Sequence, residues 1–428
     1  MPQPILFPVV PNHAEPKGFE TLEVQNTLAS VVCALKHLPG WVGALATNEF
    51  DQRLVFRREP PFSNGGLTGS PVRDQDFDRM RLWFEEARGV VLSKAIVTDA
   101  ARLVANESAF HPVQEYLNRL SWDGVPRVDT WLEDFCAVRP RSAEQQGLIR
   151  AVGRKWLVSC VARAMSPGCK VDTILILEGR QGIGKSTALR ALAGAGFYCD
   201  SLIDFGTKEA CQTIQGVWIY ELAELDALLR RETSVIKAFL TRAVDRFRVP
   251  YGRVPESVPR SVVFAGTVNH GGYLRDRTGN RRFWVVRCED SLDPEGLQAA
   301  RNQLWAEARH LYDQGEAWHL SKEDDALMRV EHGARLEVDA WEETILRWVS
   351  SRAAETFTMN ELLEGALGLK AQSKNPQVTR RVSLILEELG FERRKRSSLP
   401  RTYFYGRAEG EGAAGEGVSP SHRPTRSE

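Results

Sequence analysis

Between Leu175 and Gly194 the sequence reads LILEGRQGIGKSTALRALAG. Gly179, Gly184, Lys185 and Ser186 satisfy G-x-x-x-x-G-K-[ST], the Walker A or P-loop pattern, in which backbone N–H groups cradle a polyphosphate. Glycines are required because the chain must curl closely around the phosphates, where a Cβ would obstruct. Gln181, Gly182 and Thr187 complete the loop. Lys185 supplies a point charge for the β and γ phosphates and Ser186 a ligand for Mg²⁺, while the helix that follows presents its partial positive end. The expected ligands are ATP and Mg²⁺. The pattern alone does not choose among kinase, transporter, GTPase and motor.

The acids downstream narrow that choice. VWIYELAELDALL is an apolar strand that carries Glu221, with Glu224 three residues on and Asp226 beyond. One carboxylate at a strand tip can hold Mg²⁺ and a second can polarise water, so acids beside such a loop favour hydrolysis over transfer to a small acceptor. Glu224 and Asp226 can also be read as helix N-terminal residues pairing with Arg230 and Arg231. A third strand in VVFAGTVNHGGYLRDRTGNRRFWVV delivers Asn269, a candidate holder of the lytic water or a γ-phosphate oxygen, or else a turn residue. Arg281 and Arg282 follow in a basic loop. An arginine there, at a subunit edge, could reach a neighbour's γ-phosphate and stabilise transition-state charge.

Between the acids and Asn269 lies RAVDRFRVPYGRVPESVPR. Arg246 and Arg248 share one face of an extended segment, Phe247 and Val249 the other, and Pro250-Tyr251-Gly252 can turn the chain. A hairpin so built would offer Arg246, Arg248 and Arg253 to phosphates and Tyr251 to a base. A surface turn or a subunit contact is the alternative.

These residues need elements to hold them. Apolar strands at Thr173–Leu177, Val217–Tyr220, Val262–Val268 and Phe283–Val286 alternate with helical stretches, which predicts a mostly parallel α/β sheet. A helix with Leu297, Ala300, Leu304, Ala308 and Leu311 on one face follows, with Gly315 as its cap. Upstream, Leu148, Val152, Trp156, Leu157, Val161 and Ala164 line a helix ended by Pro167-Gly168. WVGALATNEFDQRLVFRR reads as two short strands around Asn48 to Gln52, after a helical stretch from Thr21 to Leu38. The expected organisation is a small mixed region at 1–75, a mainly helical domain at 76–168, the phosphate-loop core at 169–330, a unit at 331–406 and a polar, glycine-rich tail at 407–428. Residues 347–407 carry twelve basic side chains against six acidic ones. Their order of helix, helix and two strands resembles a winged helix, with Arg380, Arg381 and Arg393–Arg396 as candidate contacts to duplex phosphates.

Composition excludes little beyond a global positive field, because 56 basic residues balance 56 acidic ones across 428 residues. Any nucleic-acid surface must therefore be local. The 7 cysteines contain no C-x-x-C pair, and no apolar run approaches the length of a membrane span, so a reduced, soluble, cytoplasmic chain is expected.

Several separated stretches resemble the virulence-associated protein E family, whose ATPase core is similar to superfamily 3 helicases and to the primase-helicases of phages and satellite elements. They are HPVQEYLNRLSWDGVPRVDTWL (111–132), KVDTILILEGRQGIGKS (170–186), WIYELAELDAL (218–228), VDRFRVPYGR (244–253), TGNRRFWVV (278–286) and QLWAEARHLYDQGEAWHL (303–320). The resemblance implies an AAA+-like sheet, a hexameric ring and a role in copying mobile-element DNA in a bacterial host. It also implies that Lys185 and Ser186 serve nucleotide and metal, Glu221 with Glu224 the acidic motif, Asn269 the polar sensor, and Arg281 or Arg282 the finger. Two departures stand out. Leu222 and Ala223 separate the acids, which many superfamily 3 members place side by side. No upstream segment has the carboxylates or zinc-type cysteines of a primase, so the chain looks like a motor half whose primase is a separate partner. A nucleotide-switched DNA- or protein-binding module that acts without unwinding is the rival reading.

Overall fold

The computed structural model describes residues 22–205, 207–247, 254–269, 274, 280–336, 341–352, 356–369, 375–395 and 403–407. The chain divides into two units, Met1–Glu337 and Val338–Glu428.

The first unit opens with α1 (Leu28–His37), the hairpin β1 (Leu45–Asn48) and β2 (Arg53–Phe56), α2 (Asp74–Arg88) and α3 (Lys94–Glu107). Thr27 and Ser93 cap α1 and α3 through their hydroxyls, satisfying N–H groups that a helix start leaves open. Val31, Leu35, Trp41, Phe56, Phe77, Phe84 and Val97 form a core of their own. Next come α4 (Pro112–Arg119), α5 (Trp131–Phe135) and the long α6 (Ala143–Met165). The apolar face predicted for α6 is buried, and the helix stops at Ser166, ahead of Pro167 and a left-handed Gly168.

The remainder of this unit is built on a sheet. In order, the chain forms β3 (Ile174–Glu178), α7 (Lys185–Ala193), β4 (Tyr198–Cys199), α8 (Lys208–Thr213), β5 (Ile219–Leu222), α9 (Leu225–Leu240), the hairpin β6 (Val244–Phe247) and β7 (Glu256–Pro259), β8 (Val263–Val268), β9 (Phe283–Arg287), α10 (Pro294–Asp313) and α11 (Lys322–Gly333). Five strands pair in parallel in the order β4-β5-β8-β3-β9. All four predicted strands are present, and the two-residue β4, too short to leave a periodic signal, joins them at the edge.

Alternation along the strands sorts the side chains into two layers. Leu175, Leu177, Ile219, Val263, Ala265, Trp284 and Val286 pack with α6, α7 and α10. Ile174, Ile176, Tyr220, Leu222, Phe264 and Val285 pack with α8, α9 and the β6–β7 hairpin. Leu148 to Ala164 of α6 belong to the same cluster as the first set, so one core runs through position 168 without a break. The α10 helix ends at Asp313 and Gly315 takes the left-handed conformation (φ 82°) just past it.

The second unit comprises α12 (Glu342–Ser350), β10 (Thr356–Phe357), α13 (Met359–Gly365), α14 (Pro376–Glu388), β11 (Phe391–Lys395) and β12 (Tyr403–Arg407). Its antiparallel sheet has the order β10-β12-β11 and closes over Ile345, Phe357, Leu362, Val382, Leu386 and Tyr405.

Candidate functional site

The loop of interest joins β3 to α7 at the C-terminal edge of the sheet. Gly182 (φ 82°) and Gly184 (φ 95°) both sit in left-handed backbone that favours glycine. Gly179 is needed for a different reason, since a Cβ there would lie 2.7 Å from the Cys288 carbonyl oxygen and from Ile183 Cδ1. The loop is wedged between strand ends. Gly179 N–H donates to the Val268 carbonyl (3.0 Å), Cys288 N–H to Glu178 (2.7 Å) and Leu292 N–H to Ile183 (2.8 Å). Gln181, Gly182, Ser186 and Thr187 face solvent, while Lys185 is buried. Because α7 begins at Lys185, its first-turn N–H groups have no partner within the helix and open toward the loop.

Four of the predicted residues converge here. Lys185 Nζ donates to the carbonyls of Gly179 (2.6 Å) and Arg180 (2.8 Å) and to Asn269 Oδ1 (3.2 Å). Burial pulls the Lys185 ammonium below its ordinary value, with Cys288 and Glu221 pulling the other way. Ser186 Oγ donates to Glu221 Oε1 at 2.7 Å. Glu221 is 1% exposed, on the strand face that α7 covers. Period two explains why: Ile219 and Glu221 of β5 point the same way as Val263, Ala265 and Thr267 of β8. Thr267 Oγ1 gives Glu221 Oε1 a second hydrogen bond at 2.7 Å, and the Tyr198 hydroxyl donates to Oε2. Burial, then Glu221, pushes the Tyr198 phenol far above its usual range.

Thr267 and Tyr198 were not singled out by sequence reasoning. Thr267 lies on β8, two residues before Asn269 just past its end, so alternation carries its signal. Tyr198 stands on a two-residue strand after Gly194 and Gly196, where no periodicity points to it. Serine and threonine hydroxyls, a carboxylate and an amide are oxygen donors suited to a hard divalent cation that keeps most of its ligands from phosphate and water. Among the described residues no group of three or more His, Cys, Asp or Glu side chains could hold a metal ion, so any such cation would need those outside ligands.

Glu224 is arranged differently. It precedes α9 with φ 50° and ψ 45°, left-handed backbone in a residue that has a Cβ, and its exposed side chain does not cap the helix. The side chains of Asp226, Arg230 and Arg231 lie outside the described residues.

Arg281 and Arg282 are not brought to the loop. They precede β9, whose Phe283 is in register with Ile174 at the start of β3. The loop leaves β3 after Glu178, four residues of strand away, or about 13 Å. Arg281 is exposed and Arg282 half-buried, and both line a cleft of about 450 Å³ with Lys170, Asp172, Trp318 and His319. A larger cavity, about 730 Å³, adjoins the loop at Gly179 and Arg180 and is walled by Leu148, Ile149, Val152 and Met328.

The predicted hairpin is present as the antiparallel pair β6–β7, with Arg246 exposed and Phe247 buried. Arg248, Tyr251 and Arg253 lie outside the described residues. At its base Arg260, 1% exposed, forms a bidentate pair with Asp245 (2.6 and 2.8 Å) and donates to the Phe239 carbonyl at 2.6 Å. The hairpin is thereby tied to the end of α9. In the second unit Arg380 is exposed, Arg381 lies 3.9 Å over the Trp341 ring and Arg393 4.0 Å over Tyr403. The Lys395 side chain and Arg396 lie outside the described residues.

Fold and site define a parallel α/β protein with a glycine loop, a buried lysine and a hydroxyl-bonded carboxylate gathered at the C-terminal edge of its sheet. Residues 117–337, just over half of the chain, match the model of the virulence-associated protein E-like domain, and the chain belongs to that family. Among solved structures it is similar to two A-form apo structures of the NrS-1 C-terminal region. One has 15% identity and a TM-score of 0.39, the other 14% and 0.41, and each match covers 68% of this chain and 78% of that chain. No curated protein matches it. No helix among the described residues is long and apolar enough to cross a membrane.

Proposed function

We propose that this protein is an Mg²⁺-dependent ATPase that assembles into a ring and translocates on or unwinds DNA during replication of a phage or integrated element. One observation carries the reading: Lys185, Ser186, Glu221 and Asn269, distant in sequence, meet at one glycine loop. The strand order, with β3 between β8 and β9, supports an AAA+-like core. The helix, helix and two-strand order of the second unit supports a winged-helix-like module.

In this reading the loop N–H groups and Lys185 hold the β and γ phosphates, and the neighbouring cavity takes the nucleoside. Mg²⁺ supplies charge neutralisation at the phosphates when bound, held on the protein side by Ser186 and Glu221. Nucleotide entry must first draw Lys185 Nζ away from the Gly179 and Arg180 carbonyls that now occupy it. Asn269 is within reach of the same region and orients water or a γ-phosphate oxygen. Glu221 is already occupied by three hydroxyls, which leaves the exposed Glu224 to polarise the attacking water. Its strained backbone is of the kind found at functional positions.

Arg281 and Arg282 lie too far from their own loop to act there, so a finger role requires a neighbouring copy, and a hexameric ring provides one. In this reading Arg246, Arg248, Tyr251 and Arg253 contact the DNA and the basic second unit adds phosphate contacts, in the bacterial cytoplasm. The test is a mixture. Arg281→Ala/Arg282→Ala subunits keep the loop, and Glu221→Gln subunits keep the arginines. Each alone is expected to be inactive and the mixture to recover part of the DNA-stimulated phosphate release. No recovery at any ratio, or a monomeric mass with nucleotide and single-stranded DNA present, would contradict the shared site. DNA binding that responds to nucleotide occupancy alone, with no strand displacement, would favour the switch over the motor.

A further inference from the structure

We infer that Tyr198 is a positioning residue for Glu221, and that Arg190 decides whether its single proton reaches that carboxylate. The inference rests on the ATPase reading of the same site.

The phenolic hydroxyl has two carboxylates in reach, Glu221 Oε2 and, at 3.3 Å, Asp200 Oδ2. A phenol donates one hydrogen bond at a time, so the two acids compete for it. Arg190 settles the competition. Its Nη2 lies 3.0 Å from Asp200 Oδ2, and its guanidinium carbon stands 5.0 Å from the centroid of the Tyr198 ring. With Asp200 satisfied by a cation, the proton goes to Glu221, the buried acid with more to lose from an unpartnered oxygen.

The effect on Glu221 is geometric. Ser186 from α7 and Thr267 from β8 both donate to Oε1, and Tyr198 from β4 donates to Oε2. Three donors on three elements fix the rotation of the carboxylate, and among the described residues only Tyr198 holds the second oxygen. Without it the group can turn about its last bond, and the oxygen facing Ser186 loses its fixed direction. A hydrogen-bond partner behind a metal-binding carboxylate acts in this way, and its loss typically weakens metal affinity about tenfold or more.

The experiment measures Mn²⁺ binding by electron paramagnetic resonance in the full chain with a slowly hydrolysed ATP analogue, alongside metal-free analogue binding and the thermal midpoint. Tyr198→Phe is expected to weaken Mn²⁺ about tenfold while leaving metal-free binding and the midpoint close to those of the unaltered chain. Arg190→Ala is expected to weaken Mn²⁺ in the same direction, because Asp200 then claims the hydroxyl. Arg190→Ala/Asp200→Asn is expected to restore it. Unchanged Mn²⁺ affinity in Tyr198→Phe, a lowered midpoint as its sole effect, or a double variant no better than Arg190→Ala would overturn the inference. An unaltered chain that binds no nucleotide overturns the phosphate site itself and this inference with it, a failure visible before any variant is compared.

Discussion

Ser186 Oγ and Glu221 Oε1 are joined by a 2.7 Å hydrogen bond, although 35 residues separate them in the chain. The first residues of α7 and the strand beside it thus share one oxygen cluster before any ligand arrives. Glu221→Gln keeps the size of the side chain and removes its charge. Mn²⁺ or Mg²⁺ affinity in the presence of nucleotide is expected to fall about tenfold or more, with metal-free nucleotide binding unchanged. Titration calorimetry with and without metal measures both. A variant that binds metal as the original does would remove Glu221 from the proposed role.

Glu224 offers a case in which stability and activity part. A residue with a Cβ in left-handed backbone costs about 1 kcal/mol or more, and glycine does not bear that cost. Glu224→Gly is therefore expected to be as stable as the original or up to about 1 kcal/mol more so, read by urea denaturation. Its phosphate release should drop at least about a hundredfold, the usual worth of a general base. Retained turnover would return the water-polarising role to Glu221.

His111 makes acid stability testable. It caps α4, with Nδ1 accepting from Gln114 N–H at 3.3 Å and Nε2 lying 3.2 Å from Ser261 Oγ, so the ring is neutral with its proton on Nε2. Burial pulls it from 6.5 to about 4. Between those values the unfolded chain binds a proton that the folded chain refuses, so stability is full above pH 6.5 and is lost as the pH falls toward 4. Between pH 6.5 and 5 the loss from this one group is about 2 kcal/mol. His111→Asn, which can still cap the helix, should flatten that part of the profile. An unchanged slope would mean that the ring already accepts the proton when folded.

Legibility followed the length and regularity of the signal. The β3 loop and α7 could be read because glycine spacing, a preceding apolar strand and a following helix all agree, and the structure joins Gly179, Lys185 and Ser186 as that agreement requires. Glu221 and Asn269 could be read because each ends an apolar run. Tyr198 could not, since two residues of strand leave no alternation, and its importance comes from the pairing of β4 with β5, a tertiary fact. The left-handed backbone of Glu224 was equally hidden, because ELAEL carries no glycine to announce a turn. The position of Arg281 and Arg282 at the far end of the sheet depends on the register of β9 against β3, which no local pattern encodes. The pairing of Asp245 with Arg260 across the base of the hairpin was likewise invisible, although the hairpin itself was expected from its turn residues.

The central claim is that the loop from Gly179 to Ser186 binds a nucleoside triphosphate for hydrolysis. The most direct measurement is phosphate release from ATP with Mg²⁺ and single-stranded DNA, by the unaltered chain and by Lys185→Ala, each shown to be folded by its thermal midpoint. The expected result is turnover that DNA stimulates in the unaltered chain and that falls about a hundredfold or more in the variant. Equal turnover in the two proteins, or none in the unaltered one, would contradict the claim.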